Sequence, residues 1–233
     1  MNIIHYIPIL TTIFSAYFFA EIYKHWSLRK NSRNGAGHLF WWMLGVFFFG
    51  AGTLTESIYT LNGYTEWNFK AWYIFGAFLG GAPLAQGTIY LLMKKKTANI
   101  LTILLISVVL IGSVFVILSP INQELIDYNK PFGAMLEWQK VRLISPFINI
   151  YAAIFLIGGA IYSAFKYKKY PEFKTRYHGN MMIAIGAILP GIGGSMTRYG
   201  ITEALYITEF VGLVLIYIGY RIIKKDKSTT KTA

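Results

Sequence analysis

The sequence predicts an all-α integral membrane protein, a seven-transmembrane-helix bundle, and three observations carry that prediction. Of 233 residues, 55% are apolar and only 14% charged, a balance foreign to ordinary soluble domains and to disordered chains. Seven stretches reach the roughly 20 mostly apolar residues needed to cross a hydrocarbon core of about 30 Å. The basic residues alternate between connections, as expected when Lys and Arg stay on the cytoplasmic side.

The stretches run 3–23, 39–61, 71–93, 98–119, 143–165, 179–198 and 203–223. They take most of the chain, so residues 1–223 read as a single seven-helix transmembrane domain and 224–233 as a basic cytoplasmic tail. Span one lacks a basic leader and is longer than a signal h-region, so it reads as a retained helix. Spans two and six each contain G-x4-G-x-G, at Gly45, Gly50 and Gly52 and again at Gly186, Gly191 and Gly193. Span three holds Gly80-Gly81-Ala82-Pro83-Leu84-Ala85-Gln86-Gly87-Thr88, small-sided and polar for a helix interior. Pro83 and Pro190 each remove a backbone donor, so a kink is expected at both. Between spans four and five lies an outer loop from Ser119 to Lys140, in which Leu136 and Trp138 predict a short interfacial helix.

Orientation follows from charge. Lys24, Arg29, Lys30 and Arg33, then Lys94, Lys95 and Lys96, then Lys166, Lys168, Lys169, Lys174 and Arg176, and finally Arg221, Lys224, Lys225, Lys227 and Lys231 share one side. Lys70, Lys130, Lys140, Arg142 and Arg198 take the other. The N-terminus is thereby placed outside and the C-terminus in the cytoplasm, with the plasma membrane as the expected location. The net charge of +12 is distributed over four connections, which points to anionic lipid headgroups and not to nucleic acid. Membrane lipids, a small-molecule solute or ligand and a separate protein are the partners expected.

A second pattern is a 3+1+3 plan. The two glycine motifs, together with Tyr73-Ile74, Phe78 and Gly80 set beside Tyr206-Ile207, Phe210 and Gly212, read as two parallel three-helix repeats joined by span four. The glycines have two readings, close helix packing or contact with a ligand.

Polar side chains within spans are few and expensive, so they mark candidate sites. Glu56 in span two and Glu209 in span seven lie at similar outer depth, with Arg142 and Arg198 at the outer ends of spans five and six and Asn149 below Arg142. Tyr59, Tyr73 and Tyr206 occupy the same layer, with Trp72 and Trp138. With Gln86 these residues form either an outward-facing polar pocket for a small solute or a set of private pairs beneath an aromatic belt. For Gln86 the private alternative is a hydrogen bond to span seven.

Several chemistries are excluded. With no cysteine, thiolate catalysis and Cys-ligated metals are impossible. Haem ligation needs His pairs inside spans, retinal needs a Lys in residues 203–220, and intramembrane proteases need a paired nucleophile or facing Asp residues; the spans offer none of these. His25, His38 and His178 lie at cytoplasmic span ends without metal-ligand spacing, so no metal or cofactor is called for. An enzyme is disfavoured, a lipid-acting one using Glu56 and Glu209 being the form left open.

Lys70-Ala-Trp72-Tyr73-Ile-Phe-Gly76-Ala, Ala85-Gln86-Gly87-Thr88-Ile-Tyr90, Gly186-Ala-Ile-Leu-Pro190-Gly-Ile-Gly193 and Leu205-Tyr206-Ile-Thr-Glu209 resemble small prokaryotic seven-span membrane proteins. That likeness implies the fold and names no activity. Glu56 followed by Lys70 and Trp72 is more distantly similar to the seven-helix input modules of sensor kinases, although no kinase portion is present in the sequence. The 3+1+3 plan also resembles sugar and amino-acid facilitators of the PQ-loop type, whose Pro-Gln dipeptide is here separated into Pro83 and Gln86. From these features a small-solute carrier is expected, with a receptor or accessory subunit as the alternative.

Overall fold

The computed structural model describes residues 3–31, 36–128, 130–168 and 170–226, with Arg198 described by its backbone alone. The last residues of the expected tail, and Arg33 and Lys169 of the basic rim, lie outside the described residues. Seven helical stretches are long and apolar enough to cross a membrane: Ile3–Arg29, Gly37–Asn62, Glu66–Leu92, Lys95–Leu118, Gln139–Lys168, Pro171–Met196 and Thr202–Lys225. At 1.5 Å per residue, their 24 to 30 residues extend about 36 to 45 Å, more than a hydrocarbon core requires. The chain is a multi-pass helical membrane protein. Among the described residues the one β contact is an antiparallel bridge between Ile121 and Leu136.

Two compact units divide the chain, Met1–Ala152 and Ala153–Ala233. The boundary falls inside span five, where α6 (Ile144–Ala152) gives way to a π-helical turn, Ala153–Gly158, before α7 (Gly159–Lys168). No polar linker marks it, which is why the sequence reads as one domain.

The first unit contains α1 (Ile7–Arg29), α2 (Gly37–Asn62), a divided span three, α5 (Lys95–Leu118) and α6. Span three starts as α3 (Glu66–Trp72), widens into a π-helical turn over Tyr73–Phe78, breaks at residues 79–81 and resumes as α4 (Ala82–Leu92). The break has a local cause: Pro83 has no N–H for the Leu79 carbonyl, and the Leu79 N–H reaches back five residues to Ile74 O at 3.1 Å. Along α1 and α2, hydroxyls meet where helices approach closely: Thr12 Oγ1 lies 3.0 Å from Thr53 Oγ1 and 3.4 Å from Ser57 Oγ. On α5, by contrast, Ile103, Leu110 and Leu118 are exposed, as expected of a helix facing lipid.

The loop between spans four and five corrects one expectation. Leu136 and Trp138 do not share an interfacial helix. Asn122 N–H donates to Met135 O at 2.8 Å, Trp138 N–H donates to Ser119 Oγ at 3.1 Å, and short 3-10 turns complete the loop. Met135 and Leu136 are entirely buried, in one apolar cluster with Tyr59, Phe69, Tyr73 and Val116, whereas Trp138 stays exposed. Folding them inward removes from water a side-chain area worth roughly 1.5–3 kcal/mol each.

In the second unit α8 (Lys174–Met196) and α9 (Thr202–Lys225) lie backbone against backbone. Gly179, Gly186 and Gly193 recur every seven residues on α8; the first two meet Gly219 and Gly212 on α9, and Gly193 lies against Leu205 and Thr208. A Cβ at Gly186 would lie 2.6 Å from Gly212 O, and one at Gly219 would lie 2.5 Å from Gly179 O, so only glycine permits this approach. Pro190 is carried within α8 without ending it, unlike Pro83. At the end of the unit nearest the tail, Arg176 is fixed between the rings of Tyr167 and Phe173, 5.4 Å from each, and binds Asp226 Oδ2 at 2.9 Å.

Candidate functional site

The candidate site in the first unit forms where the C-terminal turns of α2 face α3. Helical spacing puts Glu56, Tyr59 and Thr60 on adjoining positions of one face. Each takes a different partner. Glu56, 2% exposed, accepts a 3.0 Å hydrogen bond at Oε1 from Trp72 Nε1. Tyr59 donates its hydroxyl to the Asp127 carbonyl of the loop between spans four and five, and Thr60 Oγ1 donates to His5 O at 3.0 Å. Asn68 Nδ2 reaches Thr55 O at 2.9 Å. The Trp72 indole is stacked on Phe69 with centroids 5.8 Å apart and set edge-on to Tyr73, which in turn touches Ser145 Oγ through its hydroxyl at 3.0 Å. The carboxyl of Glu56 is therefore held by the last residue of α3, immediately before the π turn and the break.

Outside the spans, Tyr64 closes the aromatic wall between Tyr59, Phe69 and Tyr128. Burial, then Glu66 and Tyr128, push its phenol above the ordinary range.

Gln86 lies on α4 beyond the break and is wholly buried. Its Nε2 donates to Ala98 O at 3.0 Å and to Thr102 Oγ1 at 2.8 Å, while Oε1 accepts from the Tyr151 hydroxyl. Both amide hydrogens are thereby committed to α5, and the carbonyl to α6. The bond is to spans four and five, where a bond to span seven was expected. Thr102 extends the network through Tyr90 OH at 3.2 Å to Asn99 Oδ1 at 2.7 Å.

The remaining expected residues are distributed differently. Arg142 gives Nη1 to Gln139 Oε1 at 2.6 Å, and Asn149 is exposed on α6. In the second unit, Tyr206 is buried and Glu209, one turn on, is half-buried on α9. The Arg198 side chain lies outside the described residues. The structure thus gathers Glu56, Tyr59 and Tyr73 into one layer and places Gln86 in a separate junction of the same unit.

Three contributors escaped the sequence reading. Lys70, counted as rim charge, is only 6% exposed, and its Nζ binds Glu66 Oε1 at 2.6 Å and Ile117 O, at the end of α5, at 2.8 Å. The i,i+4 spacing of Glu66 and Lys70 was the available signal, and a cation at a helix C-terminus is the favourable sense. Tyr151 and Thr102, the partners of Gln86, carried no such local signal.

No protein-family model matches the sequence, and the search of curated proteins gives no significant match.

Proposed function

We propose that the protein carries a small solute across the plasma membrane, N-terminus outside and C-terminus in the cytoplasm, with Glu56 exchanging a proton during the cycle. The observation that carries this reading is a carboxyl buried at 2% exposure and held by Trp72, next to a span interrupted at residues 79–81. Ionisable groups inside membrane spans serve ion and proton pathways, and interrupted helices present backbone groups to a substrate. In this reading Gln86 secures α4 to spans four and five, and a shift of α3 with the π turn requires breaking the Lys70 bond to Ile117 O and the Tyr73 bond to Ser145 Oγ.

The 3+1+3 reading gains support from glycine placement within each unit. Gly45 and Gly52 of α2 lie against Leu84 and Gly76 of span three, and Gly186 and Gly193 of α8 lie against Ile216 and Leu205 of α9. Gly50 lies against Ser15 of α1, while Gly191 has nothing within 4 Å.

Reconstituted vesicles containing a pH dye test the proposal. Addition of a panel of sugars and amino acids should produce, for at least one compound, a proton movement that Glu56→Gln abolishes. Uptake that proceeds equally in the variant, or no response across the panel, contradicts it.

A second reading, a receptor or accessory subunit, is favoured by the outer loop, whose Met135 and Leu136 are built into the core. Co-purification of a second chain from native membranes, lost on deleting residues 227–233, would select it.

A further inference from the structure

The connection between α7 and α8 forms a basic, aromatic-walled pocket that the proposed transport cycle does not use. It encloses about 200 Å³ between Lys168, Tyr170, Pro171, Lys174, Tyr177 and His178. We infer that this pocket binds the phosphate-bearing headgroup of an anionic membrane phospholipid, with Lys168 and Lys174 as its charge partners and Tyr170 and Tyr177 as its walls.

Four features support this assignment. The first is charge. Lys168 ends α7, Lys174 begins α8, and both side chains are exposed, so their ammonium groups are available to an anion. The acids of this connection do not offset them: Glu172 is exposed and outside the pocket lining, and Asp226 is bound to Arg176.

The second is rigidity. Arg176 is held between Tyr167 and Phe173 and bonded to Asp226, which joins the end of α7, the 3-10 turn Pro171–Phe173 and the end of α9. His178 is likewise fixed, with Nδ1 2.9 Å from Lys174 O and its ring edge-on to Tyr177 at 5.2 Å. The pocket walls are therefore set before any ligand arrives, which lowers the ordering cost of binding.

The third is depth. The pocket lies where two membrane-crossing stretches, Gln139–Lys168 and Pro171–Met196, end and begin, the level at which headgroups sit. The fourth is amphipathic lining: an aromatic and proline wall accommodates glycerol and first acyl carbons, while the lysines face the phosphate. A soluble anion would use only the charged half of this lining.

The test uses the detergent-purified full chain and dihexanoyl-phosphatidylglycerol as probe, with binding measured by titration and by native mass spectrometry. Each lysine beside an anionic headgroup contributes a factor of about five, so Lys168→Gln with Lys174→Gln should weaken binding about thirtyfold. The double variant Lys95→Gln with Lys96→Gln, elsewhere on the basic rim, should stay within about twofold of the parent. Dihexanoyl-phosphatidylcholine and inorganic phosphate should not displace the probe at equal concentration. Should the first double variant fail to fold, Lys174→Gln alone, an exposed position, is expected to weaken binding about fivefold. An equal loss in the Lys95 and Lys96 variant would show diffuse surface charge and overturn the assignment. So would displacement by phosphatidylcholine, which removes the charge requirement, or by inorganic phosphate, which makes a free anion the ligand.

Discussion

Replacing Gln86 with Leu separates a structural glutamine from one that touches solute. The substitution keeps the side chain similar in size and buried, makes it apolar, and removes the bonds to Ala98 O, Thr102 Oγ1 and the Tyr151 hydroxyl. Hydrogen bonds between membrane helices average about 0.6 kcal/mol and reach about 1.7, so the three together are worth about 2 to 5 kcal/mol. Against a typical total of roughly 5–15 kcal/mol, the variant should fold but unfold more readily. Tyr151→Phe removes the bond to Gln86 and should cost about 0.6 to 1.7 kcal/mol in the parent, and less once Gln86 is Leu. The assay is reversible unfolding in mixed micelles with increasing denaturing detergent, applied to the full double-mutant cycle. Unchanged stability of Gln86→Leu, or strictly additive costs of the two substitutions, would refute the junction. Loss of uptake with unchanged stability would return Gln86 to the solute site.

Three further outcomes are expected. Gly186→Ala places a Cβ 2.6 Å from Gly212 O and should destabilise by about 1–3 kcal/mol, whereas Gly191→Ala meets nothing within 4 Å and should be neutral or stabilising by up to about 1 kcal/mol; equal effects in unfolding assays would contradict the α8–α9 contact. Tyr59→Phe removes the Tyr59 bond to the Asp127 carbonyl, and hydrogen exchange in residues 119–128 should quicken about fivefold, from a bond worth roughly 1 kcal/mol; unaltered protection would show that the loop is held otherwise. Because the chain has no cysteine, single cysteines report sidedness directly: in intact cells an impermeant maleimide should label Gln123→Cys and not Lys95→Cys, and the reverse pattern would invert the topology.

What could be read from the chain depended on whether a feature is local. The seven spans were legible because apolar length is a property of each segment alone. The interruption of span three was legible for the same reason, since Gly80, Gly81 and Pro83 act on their own backbone. Pro190 shows the limit: the residue is the same, yet α8 absorbs it within a continuous helix packed along α9. The partners of Gln86 depend on the rotation of three helices about their axes, which apolar patterning does not specify in membrane segments that bury polar and apolar faces alike. Leu136 failed for a related reason: an apolar residue in an outer loop has the same character whether it enters lipid or the protein core. Glu56 was found because a carboxyl in a span is costly wherever it points, but its hold on Trp72, 16 residues away, required coordinates.

The most direct test of proton exchange at Glu56 is infrared difference spectroscopy on oriented proteoliposomes during a pH cycle, recorded for the parent and for Glu56→Gln, with Trp72 indole bands followed in parallel. The account predicts a protonated-carboxyl band that rises reversibly on acidification together with a shift of the Trp72 N–H, both absent from Glu56→Gln. A carboxyl band that survives unchanged in Glu56→Gln, or an indole signal indifferent to pH, would contradict it.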